Sequence, residues 1–395
     1  MSKQVFKAKQ RKVESYKALY VADLHMSNNL PHSKKGEDGV SDRLKDQRDL
    51  LYRIFETAIE YKCRDIFILG DLFDHSRVDA ITLTTTVKTL SKTPVPIHIV
   101  PGNHDGINTR GERFTVEALS EVPNIHYMET YSTFIPESWI HFWPLEFAPL
   151  DRTREILSHI GLNRSIVNVL LMHNSIVGCT HVGWKCEEGL GLDPNEMTDR
   201  FDHVLSGHFH TPQEFGNNGR YLGSPLQLRY DDVGREAGYW IIDFYKDGAL
   251  SGSREETFFD GMAPRFHILD VGDKVSYREF VSSMTIDGER VRKGDFIRFS
   301  ITCTNSQLVK KKPSLESLVS KLQDAGVRAS WFHDPVYHHT RRIVSKSKDS
   351  DIVPVREMIS SYIEAVEVDT SGLDTKQLKI IGQEIFQAVE SKWQG

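Results

Sequence analysis

Asp65-Ile66-Phe67-Ile68-Leu69-Gly70-Asp71-Leu72-Phe73-Asp74 is a short apolar run that stops at a glycine and then presents two carboxylates. A run of this length suits a strand buried on both faces, and Gly70 lets the chain turn tightly and deliver Asp71 at the strand end. The arrangement recurs. Lys17 to Ala22 runs into Asp23-Leu24-His25, and Val95 to Val100 stops at Pro101-Gly102-Asn103-His104-Asp105. Ile166 to Met172 ends at His173-Asn174, and Asp202 to Leu205 leads to Ser206-Gly207-His208-Phe209-His210. Between the first runs, Ser41 to Lys62 places Leu44, Leu51, Ile54, Phe55, Ala58 and Ile59 on a helical face, and Val78 to Leu90 is a threonine-rich helix. Strand and helix in alternation predict a layered α/β domain. Ligands of such folds bind beyond the strand ends, so these carboxylates, amides and imidazoles converge on one edge.

That collection fits a site for two divalent ions, which need a bridging anion, several terminal ligands and open positions for water and substrate. Asp71 is the natural bridge. Asp23, His25 and His210 complete one ion's shell, and Asn103, His173 and His208 the other's. Any one histidine at a strand end is ordinarily a hydrogen-bonded structural residue; the reading rests on the set. Mixed imidazole, carboxylate and amide ligation suits manganese, iron or zinc better than magnesium, which prefers oxygen shells rich in water. His104, beside a presumed ligand, is placed to stabilise phosphoryl charge or protonate a leaving oxygen, with Asp105 orienting its imidazole.

With 39% apolar and 26% charged residues, the 395-residue chain has a globular composition and length for two or three domains. No stretch reaches the roughly 18 consecutive apolar residues of a membrane span. The basic N-terminus (Lys3, Lys7, Lys9, Arg11, Lys12) lacks a signal peptide's apolar segment, and the four cysteines Cys63, Cys179, Cys186 and Cys303 are irregularly spaced. Both point to a reducing cytoplasm. A net charge of −6 gives no global attraction to nucleic acid, so any grip on DNA must be local, metal-mediated or shared with a partner.

Residues 1–15 read as a flexible basic arm and 16–261 as the α/β domain, closed by strands between Tyr221 and Phe244. Residues 262–345 form a small α/β module, with strands at Phe296 to Thr302 and Val327 to Phe332 and a helix at Leu315 to Leu322. The run Lys310 to Lys312 before that helix reads as a solvated turn. Residues 350–395 carry a helical hairpin whose second helix places Leu378, Ile381, Ile385, Val389 and Trp393 on one stripe.

The blocks around Asp23, Asp71, Asn103, His173 and His208 resemble those of the calcineurin-like metallophosphoesterase superfamily. Tyr221-Leu222-Gly223-Ser224-Pro225-Leu226-Gln227, the small module and the closing helices resemble the SbcD-type DNA repair and recombination nucleases, including phage recombination-endonuclease subunits. The resemblance implies a sandwich of two mixed sheets flanked by helices, manganese at the ligands named above, and His104 as the catalytic histidine. It further implies 3′–5′ duplex exonuclease and single-strand endonuclease activity, a capping module that steers DNA, and a hairpin docked on an SMC-like ABC ATPase of SbcC type. A homodimer within a heterotetramer is the implied assembly. Ser224, Trp184 and Lys185 are the candidate substrate contacts; Trp184 fits stacking on a base and equally a packing role. The rival readings are a phosphatase or small-molecule phosphodiesterase on the same fold, and a metal-binding scaffold without catalysis. Against the first, His75-Ser76-Arg77 stands where a protein phosphatase carries an Arg-Gly pair; against the second, no ligand is missing.

Overall fold

A computed structural model describes residues 5–6, 14–107, 113–181, 183–257, 263–272 and 274–335. The chain divides into two compact units, residues 1–300 with 317–331, and residues 301–316 with 332–395. The expected border at Gly261 and the C-terminal hairpin lie outside the described residues.

The first unit is an α/β sandwich of two mixed sheets. Seven strands form one sheet, in the spatial order Val5–Phe6, Leu250–Glu256, Gly238–Tyr245, Ser15–Val21, Asp65–Leu69, Ile97–Val100, Ile125–Tyr127. Its last four strands are parallel and the others antiparallel. Six strands form the second sheet, where Ile140–Leu145, Val167–His173, His203–Gly207 and Gly219–Tyr221 run parallel. Val5–Phe6, inside the stretch read as a free arm, caps the edge of the first sheet and satisfies backbone groups there.

Strand alternation sorts the core into layers. Tyr20, Phe67 and Leu69 face Phe142, Val169 and Leu171 between the sheets. Leu19, Val21, Ile66 and Ile68 point the other way, onto the helix Asp42–Glu60, while Leu170 and Met172 pack with Ile156 and Leu157 of the helix Leu150–His159. Asp65–Leu69 is therefore buried at every residue, as its continuous apolar run requires. The helices Asp42–Glu60 and Ala80–Leu90 begin at side-chain caps: Ser41 accepts from Leu44 N, and Asp79 accepts from Ile81 N and Thr82 N.

Phe266–Asp270 pairs in parallel with Phe296–Cys303, and Arg328–Pro335 completes a three-stranded sheet. The helix expected over Leu315 to Leu322 instead spans Asn305–Asp324, with Lys310 to Lys312 and Pro313 inside it. A reciprocal cap starts it: Gln307 N donates to Thr304 Oγ1 at 3.4 Å, and Thr304 N donates to Gln307 Oε1 at 3.1 Å.

The two large sheets come close at Gly207. A Cβ there would lie 2.1 Å from the Leu69 carbonyl oxygen and 2.8 Å from His173 Nδ1. Because the nearest atom is backbone, the clash has no side chain to relieve it. Gly207→Ala is expected to lower the denaturation midpoint by the equivalent of about 1–3 kcal/mol with an unchanged denaturant slope, measured by urea titration.

Candidate metal centre

The five strand ends do meet. Asp23, His25, Asp71, His173 and His210 are buried, and Asn103, His104 and His208 are partly so. Asp23, His25, Asp71 and His208 all adopt positive φ, at 56°, 47°, 50° and 99°. For non-glycine residues this is strained backbone, concentrated here on four of the seven candidate ligands. Hydrogen bonds across the strand ends hold it in place. Asp23 N donates to Gly70 O at 3.1 Å, His25 N to Asp71 O at 2.9 Å, and His208 N to both Asp23 carboxylate oxygens at 3.1 and 3.2 Å.

Asp71 Oδ2 occupies the middle, 3.2 Å from His173 Nε2 and 3.6 Å from His25 Nε2, while its Oδ1 accepts His104 N at 2.8 Å. On one side His25 Nε2 and His210 Nε2 face each other at 3.2 Å, and Asp23 Oδ1 lies 3.9 Å from His210 Nε2. On the other, Asn103 Oδ1 lies 2.9 Å from His208 Nδ1. Three groups of side chains can each hold an ion: Asp23 with His25 and His210, His25 with Asp71 and His104, and Asp71 with His173 and His208. The first and third groups draw on residues that the sequence places in the two shells, and Asp71 belongs to the second and third.

The donor set fits divalent ions. His173 Nδ1 donates to Leu69 O at 2.9 Å, which orients the ring and turns the buried Nε2 inward towards Asp71 Oδ2 at 3.2 Å. Burial works against a charged His173, but Asp71 and then Asp23 outweigh it and raise its pKa to about 9. Burial likewise opposes ionised Asp71, yet His173 and His25 hold it well below the usual carboxylate range. Burial and Asp71 push Asp23 up to about 6, and burial together with His173 drives His208 down to about 3. Closely packed buried carboxylates and imidazoles of this kind share out too little positive charge among themselves, a deficit that divalent cations remove.

Asp105 does not orient His104. Its carboxylate accepts Phe73 N at 3.0 Å and Gly102 N at 2.9 Å, bracing the two ligand loops from below. The His104 imidazole is oriented by the neighbouring loop, where Nδ1 donates to Asp74 O at 2.6 Å. Asp74 also bonds His25 Nδ1 through Oδ1 at 3.2 Å. Its position three residues after Asp71 was the available signal for this double role. Ser224 is fully buried, its hydroxyl within reach of Asp23 O at 2.9 Å and Leu226 O at 2.8 Å, so it supports the ligand loop and does not face substrate.

Trp184 and Lys185 are exposed on a small hairpin, Thr180–His181 against Trp184–Lys185. Trp184 lies edge-on to Phe209 at 6.2 Å, and His181, which sequence reasoning missed, stacks on Phe209 and meets the His210 ring edge-on at 5.1 Å. Ser175, also missed, bonds His208 Nε2 at 2.9 Å.

A family profile described as calcineurin-like phosphoesterase matches residues 16–212, a span that contains every candidate ligand. This part of the chain is a calcineurin-like phosphoesterase domain. Among curated proteins, the chain is 26% identical over 317 residues to Exonuclease subunit 1 of Enterobacteria phage T4, covering 75% of this chain and 79% of that one. It is 26% identical over 275 residues to an SbcCD nuclease subunit of Staphylococcus epidermidis, covering 61% and 68%. To the DNA double-strand break repair protein Mre11 of Methanopyrus kandleri it is 23% identical over 258 residues, covering 58% of this chain and 54% of the relative. The phosphoesterase fold thus comes with the dinuclear ligand clusters described above.

His173, raised above its ordinary value of 6.5 to about 9, stabilises the ion-free fold fully below the lower value and loses that contribution as pH climbs through the higher one. An ion must displace that proton. Manganese affinity is expected to rise by up to about tenfold per pH unit towards pH 9, with proton release visible by calorimetry in two buffers. Asp71→Asn is expected to abolish binding of both ions, as read by the same titration.

Proposed function

We propose that this phosphoesterase is a manganese-dependent DNA nuclease, the nuclease subunit of an SbcCD-like complex that processes double-strand breaks in recombination, repair and replication. The observation that carries the reading is the two ligand clusters, Asp23 with His25 and His210 and Asp71 with His173 and His208, joined by Asp71 Oδ2 lying 3.6 Å from His25 Nε2, with the His104 ring held by Asp74 O. The names of the relatives support it: an exonuclease subunit, a break-repair protein and a nuclease subunit.

When bound, two divalent ions would acidify a water and neutralise charge on the phosphodiester. The chain's residues then divide the remaining work. Asp23, His25, Asp71, Asn103, His173, His208 and His210 hold the ions. His104 presents Nε2 to a phosphoryl or leaving oxygen. The exposed Trp184, 43% accessible, offers a face for a base, and Lys185 a charge for backbone phosphate. These local contacts matter because the chain's net charge of −6 repels a polyanion overall.

In this reading the substrate is digested from 3′ ends of duplex and nicked within single strands. The small module steers it, and residues 350–395 dock an SMC-like ABC ATPase in a homodimeric, cytoplasmic assembly. Among the described residues, no helix is long and apolar enough to cross a membrane.

The test is digestion of end-labelled linear duplex and of circular single-stranded DNA by the purified chain, with manganese, with chelator, and by His104→Asn. Manganese-dependent shortening is expected, reduced by about 10²–10⁴-fold in the variant while both ions still bind. Turnover of a small aryl phosphate ester without any cleavage of either DNA would overturn the nuclease assignment.

A further inference from the structure

Gln47 lies near the start of the Asp42–Glu60 helix and is buried. Its amide makes three hydrogen bonds, all to the loop that carries His25. Nε2 donates to Leu24 O at 2.8 Å and to His25 O at 2.6 Å, and Ser27 N donates to Oε1 at 3.1 Å. The opposite side of that loop is held by the Asp71 loop, through His25 N to Asp71 O at 2.9 Å and Met26 N to Leu72 O at 2.7 Å. His25 sits between these supports at a φ of 47°.

The helix is itself fixed at this level. The buried Arg43 guanidinium donates to Gln227 O and Leu228 O, both at 3.1 Å, and Asp46 accepts Arg328 Nη1 at 2.5 Å. Gln47 is therefore presented from an anchored element. Two donors and one acceptor on a single short side chain are what the loop needs, and among side chains of this size only an amide supplies both. Without it, two carbonyls and one N–H would be buried with no partner, each costing about 1–3 kcal/mol, and the strained backbone at His25 would lose what keeps it there.

We propose that Gln47 is a positioning residue for His25, setting the imidazole's approach to the ion it shares with Asp23 and His210. The proposal rests on reading His25 as a metal ligand. It predicts that loss of the amide harms the site of Asp23, His25 and His210 more than the other, since the side-chain hydrogen bonds of His173 and His208 reach Leu69, Asn103 and Ser175, none of them on the His25 loop.

The test is manganese titration of the full chain, followed by calorimetry and by low-temperature electron paramagnetic resonance, for Gln47→Leu, Gln47→Glu and Thr57→Val. Thr57 is on the same helix, buried, and hydrogen-bonded to Tyr239 OH at 2.9 Å, so its loss weakens the fold without touching the His25 loop. In Gln47→Leu, one manganese is expected to bind roughly 10- to 100-fold more weakly, and the spectrum of a coupled pair to give way to that of a single ion. Gln47→Glu keeps the size and the acceptor for Ser27 N, so it reports the same defect if the leucine variant does not fold. Thr57→Val is expected to melt earlier yet bind both ions like the parent.

Two tight ions and an unchanged coupled spectrum in both Gln47 variants would overturn the proposal, as would an equal loss of affinity in Thr57→Val. Absence of any manganese binding by the parent chain would instead strike the reading of His25 as a ligand.

Discussion

The hydrogen bond from His173 Nδ1 to Leu69 O joins the end of a strand in one sheet to the end of a strand in the other. Every feature of the site depends on the sheets being that close. Had Gly70, Gly102 or Gly207 a side chain, its Cβ would fall 2.0 Å from His173 Nδ1, 2.2 Å from Asp71 Oδ1 or 2.1 Å from Leu69 O. Three absent methyl groups thus create the space in which Asp71 reaches imidazoles from both sheets. Tyr20, Phe67 and Phe142, packed behind that contact, hold the layers at this spacing.

Strain and charge are concentrated in the same place. Four ligand residues with positive φ, each worth on the order of 1–3 kcal/mol, have to be stabilised by the surrounding hydrogen bonds and core. Asp105 contributes from beneath, bonded to the backbone of both the Asp71 and the Asn103 loops. Asp74 contributes from the side, where one residue touches both a presumed ligand and the presumed acid through different atoms. The architecture favours a rigid cradle with a small number of accessible groups, chiefly the partly buried His104 and the exposed hairpin with Trp184.

The five ligand-bearing strands were legible because each is a largely apolar run ended by glycine or a polar ligand, a pattern that burial on both faces favours. The helices at Asp42–Glu60 and Ala80–Leu90 were legible through their apolar spacing. Short edge strands such as Ile125–Tyr127 and Phe134–Glu137 were not, since three or four half-exposed residues carry too little alternation to stand out. The helix start at Asn305 was hidden by three lysines and a proline, although Thr304 and Gln307 spelled its cap. At the site, ligand identities follow from residue type and place at a strand end. The roles of Asp105, Asp74, Ser224 and Gln47 do not, because they depend on which backbone groups the fold leaves unpaired.

His25 and His210 face each other across 185 positions of chain. A growing polypeptide that has emerged only as far as the first sheet's parallel strands carries Asp23, His25, Asp71 and Asn103 but none of His173, His208 and His210. Such a fragment lacks the imidazoles that complete the two shells around Asp71. The full donor set is therefore complete only once the strands of the second sheet that carry His173 and lead to His208 and His210 have been added to the chain.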